Sequence, residues 1–379
     1  MRQTWGAEVL GRSVDELDTP ALLIDLERLN ANIEEMAGFA RRHGVALRPH
    51  VKTHKSPDIA RLQVESGAAG VTVAKLGEAE VMAAAGLTDI FIAFPIVGAP
   101  KVRRLLALTE RARVSSIVDD LGAARVLSDA FEAAGRRFPV RIKIDVGLGR
   151  CGLRPGEGVV DFARELLRLP GLELEGITTH AGHAYGARTG EELQRIGRAE
   201  GEIMVDQAER LRRAGIPVPV VSVGSTPTAL ISGAVEGVTE IRPGNYVFYD
   251  LMQVALGVVP VERCALSIRA RVVSRPAPGR ALLDGGIKTL GLDVGGHGHD
   301  VLTGYGRIRG MEDLVISRLS EEHAFVDIPG GAAGPAVGDL VDIIPNHACV
   351  VSNNFHEFLV VRDGRVEAVW PVAAQGYLR

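Results

Sequence analysis

Between residues 45 and 247, short apolar segments of strand length alternate with segments of helical periodicity, and this repetition limits the fold more than any other feature of the chain. The strand-like segments are 45–52, 70–75, 89–95, 113–119, 139–147, 172–181, 218–225 and 239–247. Most are separated by helix-like segments: 77–82, 102–112, 123–134, 159–169 and 191–214. Eight βα units in succession predict a parallel (β/α)8 barrel, the TIM-barrel architecture. An open doubly wound sheet is the alternative. It normally carries a Gly-x-Gly-x-x-Gly turn after its first strand, and Lys52-Thr53-His54 has no such form.

Beyond Gly257 the pattern changes to strands alone, at 265–273, 280–284, 314–319, 340–344 and 358–361, with turn signals at Pro276-Ala277-Pro278-Gly279 and Gly330-Gly331. Asp363-Gly364 between two apolar runs predicts a tight hairpin. We therefore expect a barrel over 24–256 and a smaller all-β domain over 257–379, joined by the N-terminal residues 1–23. A net charge of −4 without long like-charge runs gives no footprint for nucleic acid or an anionic membrane, so no such partner is expected. Met1-Arg2-Gln3-Thr4-Trp5 leads into no apolar targeting segment, and the expected location is cytoplasmic. Three widely spaced cysteines, Cys151, Cys264 and Cys349, read as thiols rather than a disulfide framework.

A barrel places its active site where the C-terminal ends of its strands converge. There the sequence offers Lys52 and Lys75, the run Asp145 to Gly152 containing Arg150, and the run Thr179 to Tyr185 containing His180. A lysine crowded by other cations at a strand mouth has a lowered pKa and becomes a competent Schiff-base nucleophile, as a pyridoxal phosphate enzyme requires. The turn Gly224-Ser225-Thr226, followed by Pro227, offers backbone donors and hydroxyls for a phosphate, and Gly244-Asn245-Tyr246 adds a second glycine turn. In the last domain, His347 and Cys349 lie at i and i+2 of an expected strand. They would then share one face, and an imidazole with a thiolate suits zinc.

Taken together, Pro49-His50-Val51-Lys52-Thr53-His54-Lys55, Asp145 to Cys151, Thr179-His180-Ala181-Gly182, Gly224-Ser225-Thr226-Pro227, Pro243-Gly244-Asn245-Tyr246, Asp284-Gly285-Gly286-Ile287-Lys288, Glu322-His323 and Pro345-Asn346-His347-Ala348-Cys349 resemble one family. It is the D-serine dehydratase and D-threonine aldolase group of pyridoxal phosphate enzymes, which shares its architecture with alanine racemase. The resemblance spans nearly the whole chain. It implies that Lys52, not Lys55, holds the cofactor, that Arg150 faces the pyridine nitrogen, and that His347 and Cys349 bind a divalent metal, zinc before manganese. It also implies a homodimer and a small D-amino acid substrate.

An arginine stays protonated, so a ring nitrogen facing one is a poorer electron sink, and a Lewis-acidic metal at a β-hydroxyl would make up the difference. The expected activity is therefore that of a lyase on β-hydroxy-D-amino acids such as D-serine or D-threonine, by dehydration to a 2-oxo acid and ammonia. Lys52, His180 and Tyr185 are the candidate catalytic groups. Retro-aldol cleavage to glycine and an aldehyde is the alternative: aldolases of the family tend to carry aspartate at the position of Cys349 and histidine at that of Tyr185. A racemase and a non-catalytic cofactor-binding barrel are the remaining readings, disfavoured by the missing second tyrosine base and by the β-domain respectively.

Overall fold

The computed structural model describes residues 6–330 and 333–379, so the lead-in Met1–Trp5 and the turn residue Gly331 lie outside the described residues. Two compact units emerge. One comprises Glu35–Lys52, Ile59–Gly244 and Tyr377–Arg379; the other comprises the segment up to Glu34, Thr53–Asp58 and Asn245–Gly376. No helix among the described residues is long and apolar enough to cross a membrane.

The first strand, β1 (Ala21–Asp25), belongs to the second unit. The barrel strands follow it: β2 (Ala46–Leu47), β3 (Val71–Val73), β4 (Asp89–Pro95), β5 (Arg113–Val118), β6 (Phe138–Lys143), β7 (Leu172–Thr178), β8 (Val220–Val223) and β9 (Glu240–Ile241). They form an eight-stranded sheet in the order β2-β9-β8-β7-β6-β5-β4-β3, parallel at every pairing. The two ends meet through a parallel bridge between His50 and Thr72, where Thr72 N–H donates to the Pro49 carbonyl at 2.7 Å. The expected first strand is much shorter than 45–52. Pro49 has no N–H to continue a ladder, and the chain turns into a 3-10 helix, Val51–Thr53, that carries Lys52 beyond the strand.

The second unit holds a nine-stranded sheet built from β1, β10 (Leu266–Ala277), β11 (Arg280–Leu283), β12 (Arg307–Ile308), β13 (Val315–Leu319), β14 (Ala324–Asp327), β15 (Leu340–Ile344), β16 (Glu357–Arg362) and β17 (Arg365–Pro371). β1 sits in its middle, antiparallel to β10 and parallel to β16. Its apolar residues Ala21 and Leu23 pack with Val9, Val14, Leu17, Leu359 and Val366. The β16–β17 hairpin turns through Asp363 and Gly364, both left-handed (φ 48° and 71°), the backbone that a two-residue connection between twisted strands favours.

The barrel interior departs from the usual filling of branched apolar side chains. Glu240, 3% exposed, accepts from Arg48 Nε at 2.8 Å and Ser222 Oγ at 2.6 Å, and pairs with Arg141 Nη1. Arg141 also donates to Glu175 at 2.6 Å and lies 4.3 Å over the Phe91 ring, while Arg48 reaches Asp89 at 2.6 Å. Burial alone would raise the Glu240 pKa, but Arg141 and Arg48, helped by the Ser222 hydroxyl, hold it down at about 2.

A carboxyl held below its ordinary value of 4.5 contributes stability that is present above that value and fades as pH falls towards about 2. Replacing Glu240 by Gln removes the counter-charge that Arg48 and Arg141 share and leaves them only Asp89 and Glu175, at a cost of about 3 kcal/mol. Urea unfolding of Glu240→Gln at neutral pH should show that loss, together with a weaker acid dependence between pH 4.5 and 2. A variant as stable as the wild type would show that the charge is dispensable.

Candidate active site

At the C-terminal ends of the barrel strands, His50, Lys52, Lys143, Arg150, His180 and Arg242 line one cavity, and no carboxylate among the described residues lines it. Such a wall suits an anion. Lys52 is half-buried on its 3-10 turn, with its backbone N–H directed at His50 Nδ1 at 3.4 Å. Lys55, three residues on, points elsewhere: it belongs to the second unit, and its amine donates to Asn353 Oδ1 at 2.9 Å.

Two arginines reach the cavity. Arg150 is exposed on a loop shaped by Asp145, whose Oδ1 accepts the backbone N–H groups of Gly147, Leu148 and Gly149 at 2.9–3.2 Å. Arg242 is buried, donating through Nε to Ser222 Oγ at 2.7 Å and through Nη2 to the Thr179 carbonyl. Neither Arg242 nor Lys143 is among the residues singled out from the sequence. Burial, with Arg242 and Arg150 nearby, brings the Lys143 amine down to about 7. Its signal was present: Arg141 and Lys143 alternate on β6, and charged residues sharing one face of a barrel strand must have partners or a cavity inside.

His180 Nδ1 lies 3.4 Å from the Gly224 carbonyl, which ties the histidine to the glycine turn. Gly224 is left-handed (φ 102°), as the reversal after β8 requires. The turn is held from below by Glu200, another residue the sequence reading missed. Its buried carboxylate accepts the Gly224 N–H at 2.9 Å and the Thr228 hydroxyl at 2.7 Å. The Ser225 N–H is taken by Thr228 Oγ1 at 3.2 Å. These backbone donors are therefore committed within the turn. Thr226 Oγ1 differs: it is buried with no hydrogen-bond partner among the described residues. A buried hydroxyl left in that condition is costly unless a ligand completes it, so the turn fits a cofactor phosphate. Tyr185 is buried on the 3-10 helix Gly182–Gly186, and Gly244 closes the barrel unit.

The remaining candidates lie in the second unit. Tyr246 is fully buried, and Asn245 donates its amide to Asp250 Oδ2. His347 and Cys349 are not on a strand as expected. The ladder of β15 ends before Pro345, and the Asp250 carboxylate accepts the Ala348 N–H at 2.9 Å, so Asp250 caps the helix Ala348–Asn354, His347 stands just before it and Cys349 sits in its first turn. Asp250 Oδ2 also lies 3.2 Å from His347 Nδ1, off the ideal hydrogen-bond direction. Burial works against a charged His347, but Cys349 and then Asp250 outweigh it and hold its pKa well above 6.5. Cys349 Sγ is 3.3 Å from Thr53 Oγ1. With the Asp250 carboxylate beside Nδ1, Nε2 of His347 and the sulfur of Cys349 would form a two-residue donor set for a metal. No group of three or more such side chains is placed to hold an ion among the described residues, so other ligands would have to come from water or substrate.

Comparison with known proteins places these features in company. The family described as "Alanine racemase, N-terminal domain" matches residues 24–251, and "Putative serine dehydratase domain" matches 265–361. The chain is similar to D-threonine aldolase of Arthrobacter sp. (34% identity over 372 residues, 97% of this chain and 96% of that one). It is also similar to D-threo-3-hydroxyaspartate dehydratase of Delftia sp. (39% over 367 residues, 93% and 96%). The solved D-threonine aldolase from Filomicrobium marinum has a TM-score of 0.91 at 32% identity, covering 98% of this chain and 99% of that one. A D-threo-3-hydroxyaspartate dehydratase has been solved as a cysteine-to-alanine mutant in the metal-free form (TM-score 0.88, 37% identity, 95% and 98% covered). A histidine-to-alanine mutant of it, two positions earlier, has also been solved.

The separation of Lys52 from Lys55 is directly testable. Incubation with pyridoxal phosphate followed by borohydride should leave a phosphopyridoxyl group on the peptide carrying Lys52, read by mass spectrometry. The label should vanish in Lys52→Ala and persist in Lys55→Ala; the opposite pattern would exchange the two assignments.

Proposed function

The chain belongs to the alanine-racemase-like family of D-serine dehydratases and D-threonine aldolases, and from that premise we propose that it is a pyridoxal-phosphate-dependent lyase that dehydrates β-hydroxy-D-amino acids. The observation that carries this reading is the basic cavity in which Lys52 faces Lys143, Arg150, His180 and Arg242 with no carboxylate among the described lining residues. Thr226 Oγ1, with its unmet hydrogen bond, supports the cofactor's phosphate end.

Bound pyridoxal phosphate supplies an electron sink for negative charge developing at the substrate's Cα. A divalent metal on His347 and Cys349 supplies Lewis acidity towards a hydroxyl leaving group. The chain's own residues then have definite tasks. Lys52 Nζ anchors the cofactor and takes the proton from Cα. Arg150, or the buried Arg242 on the same cavity, would face the pyridine nitrogen with a guanidinium that only donates, which would keep that nitrogen unprotonated. His180, near the Gly224 carbonyl in the cavity, and Tyr185, buried on the following 3-10 helix, are the groups proposed to hand a proton to or from the β-substituent. Asp250 sets the orientation of His347.

Zinc is the proposed metal, with manganese as the alternative, because a thiolate and an imidazole favour a soft tetrahedral ion. The His-x-Cys spacing of the two mutated positions in the solved D-threo-3-hydroxyaspartate dehydratase agrees with His347 and Cys349. The family relationship supports a homodimer. Retro-aldol cleavage stands as the second reading, favoured by the likeness to the Filomicrobium aldolase over nearly the full chain.

The deciding assay incubates the protein with pyridoxal phosphate, zinc and D-threonine. Dehydration gives 2-oxobutanoate and ammonia, lost with a chelator and restored by zinc. Acetaldehyde with glycine as the main products would replace elimination by retro-aldol cleavage, and turnover of L-threonine alone would remove the D-amino acid assignment.

A further inference from the structure

We propose that Ser222 is a positioning residue for the cavity-facing guanidinium of Arg242, which it holds in place by coupling Arg242 to the buried carboxylate of Glu240. The inference rests on the cofactor reading above and adds to it a chain of side chains running from the barrel floor to the cavity wall.

Arg242 Nε–H can only donate, and the Glu240 carboxylate can only accept. The Ser222 hydroxyl between them, fully buried, therefore accepts from Arg242 at 2.7 Å and gives its single proton to Glu240 Oε1 at 2.6 Å. Both ends of this relay are themselves fixed. Glu240 is held by Arg48 at 2.8 Å and by Arg141, and Arg141 is clamped between Glu175 and the face of Phe91. At the other end, Arg242 Nη2 donates to the Thr179 carbonyl, and Thr179 N–H donates to the Ser222 carbonyl at 3.0 Å. The guanidinium is thus pinned to two neighbouring strand ends next to His180.

A serine is the right length for the task. A direct Arg242–Glu240 ion pair would draw the guanidinium down to the barrel floor, where Arg48 and Arg141 already satisfy the carboxylate. The intervening hydroxyl keeps the charge balance while leaving the guanidinium at the level of Lys52 and Lys143, which line the same cavity. Lys143 lines the same cavity, so Ser222 and the Thr179 carbonyl together hold Arg242 beside another basic group.

The test uses the full chain loaded with pyridoxal 5′-phosphate. Ser222→Ala removes one hydroxyl and should weaken cofactor affinity about tenfold, the size expected for losing a hydrogen bond to a charged group. It should also shift the visible absorption maximum of the bound cofactor and lower kcat more than it changes KM. Ser222→Thr keeps the hydroxyl and should restore the wild-type band and affinity. A serine with a purely structural role would give a lower melting temperature in Ser222→Ala with the affinity, band and kcat of the wild type, and that result overturns the proposal. If Ser222→Ala does not fold, Ser222→Cys, whose thiol is a weak hydrogen-bonding group, gives the same reading. A wild-type protein without any bound-cofactor band would overturn the cofactor reading itself, whereas a wild-type band unmoved by loss of the hydroxyl overturns the relay alone.

Discussion

Glu240 is the charge on which the barrel depends. A cavity built to hold an anion needs several cations side by side, and buried cations repel one another while losing their water. Here Arg48, Arg141 and Arg242 are all buried, and one carboxylate, reached directly by two and through Ser222 by the third, is the counter-charge they share. The same arrangement fixes the cavity wall. Because the floor is a network of paired charges rather than interchangeable methyl groups, the residues above it have little freedom to repack.

A second carboxylate plays a comparable part in the other unit. Asp250 is fully buried, and its oxygens take the Ala348 N–H, the Gln253 N–H and the Asn245 amide while lying beside His347 Nδ1. It caps the helix Leu251–Ala255, takes the first N–H of the helix Ala348–Asn354 and lies beside one histidine. The same side chain therefore serves the local fold and the surroundings of His347.

The barrel was legible because its strands are apolar and its helices are amphipathic, a local pattern that survives in a single sequence. The central place of β1 was not, because its pairing with β10 joins Leu22 to Ile268, a contact no short window contains. β12, with two residues, and β14, with four, are too short to show a period. Lys52, Arg150 and His180 could be read from their positions at strand ends, and the structure brings them to one cavity. Lys143 was legible only through its alternation with Arg141 on β6, and Ser222, Glu200 and Glu240 could not be read at all, because each is an ordinary polar residue until its partner is known. The His347–Cys349 pair was placed on the wrong element for a definite reason: the strand was extended through Pro345, and the helix start is set by Asp250, 98 residues earlier in the chain.

The central claim is that Lys52 removes the proton from Cα, which separates elimination from carbon–carbon cleavage. Competing Cα-deuterated against unlabelled D-threonine measures this bond directly. The account predicts that 2-oxobutanoate forms faster from the unlabelled substrate, a normal primary isotope effect on kcat/KM. Equal use of the two substrates, with solvent deuterium entering glycine when the reaction is run in heavy water, would contradict it.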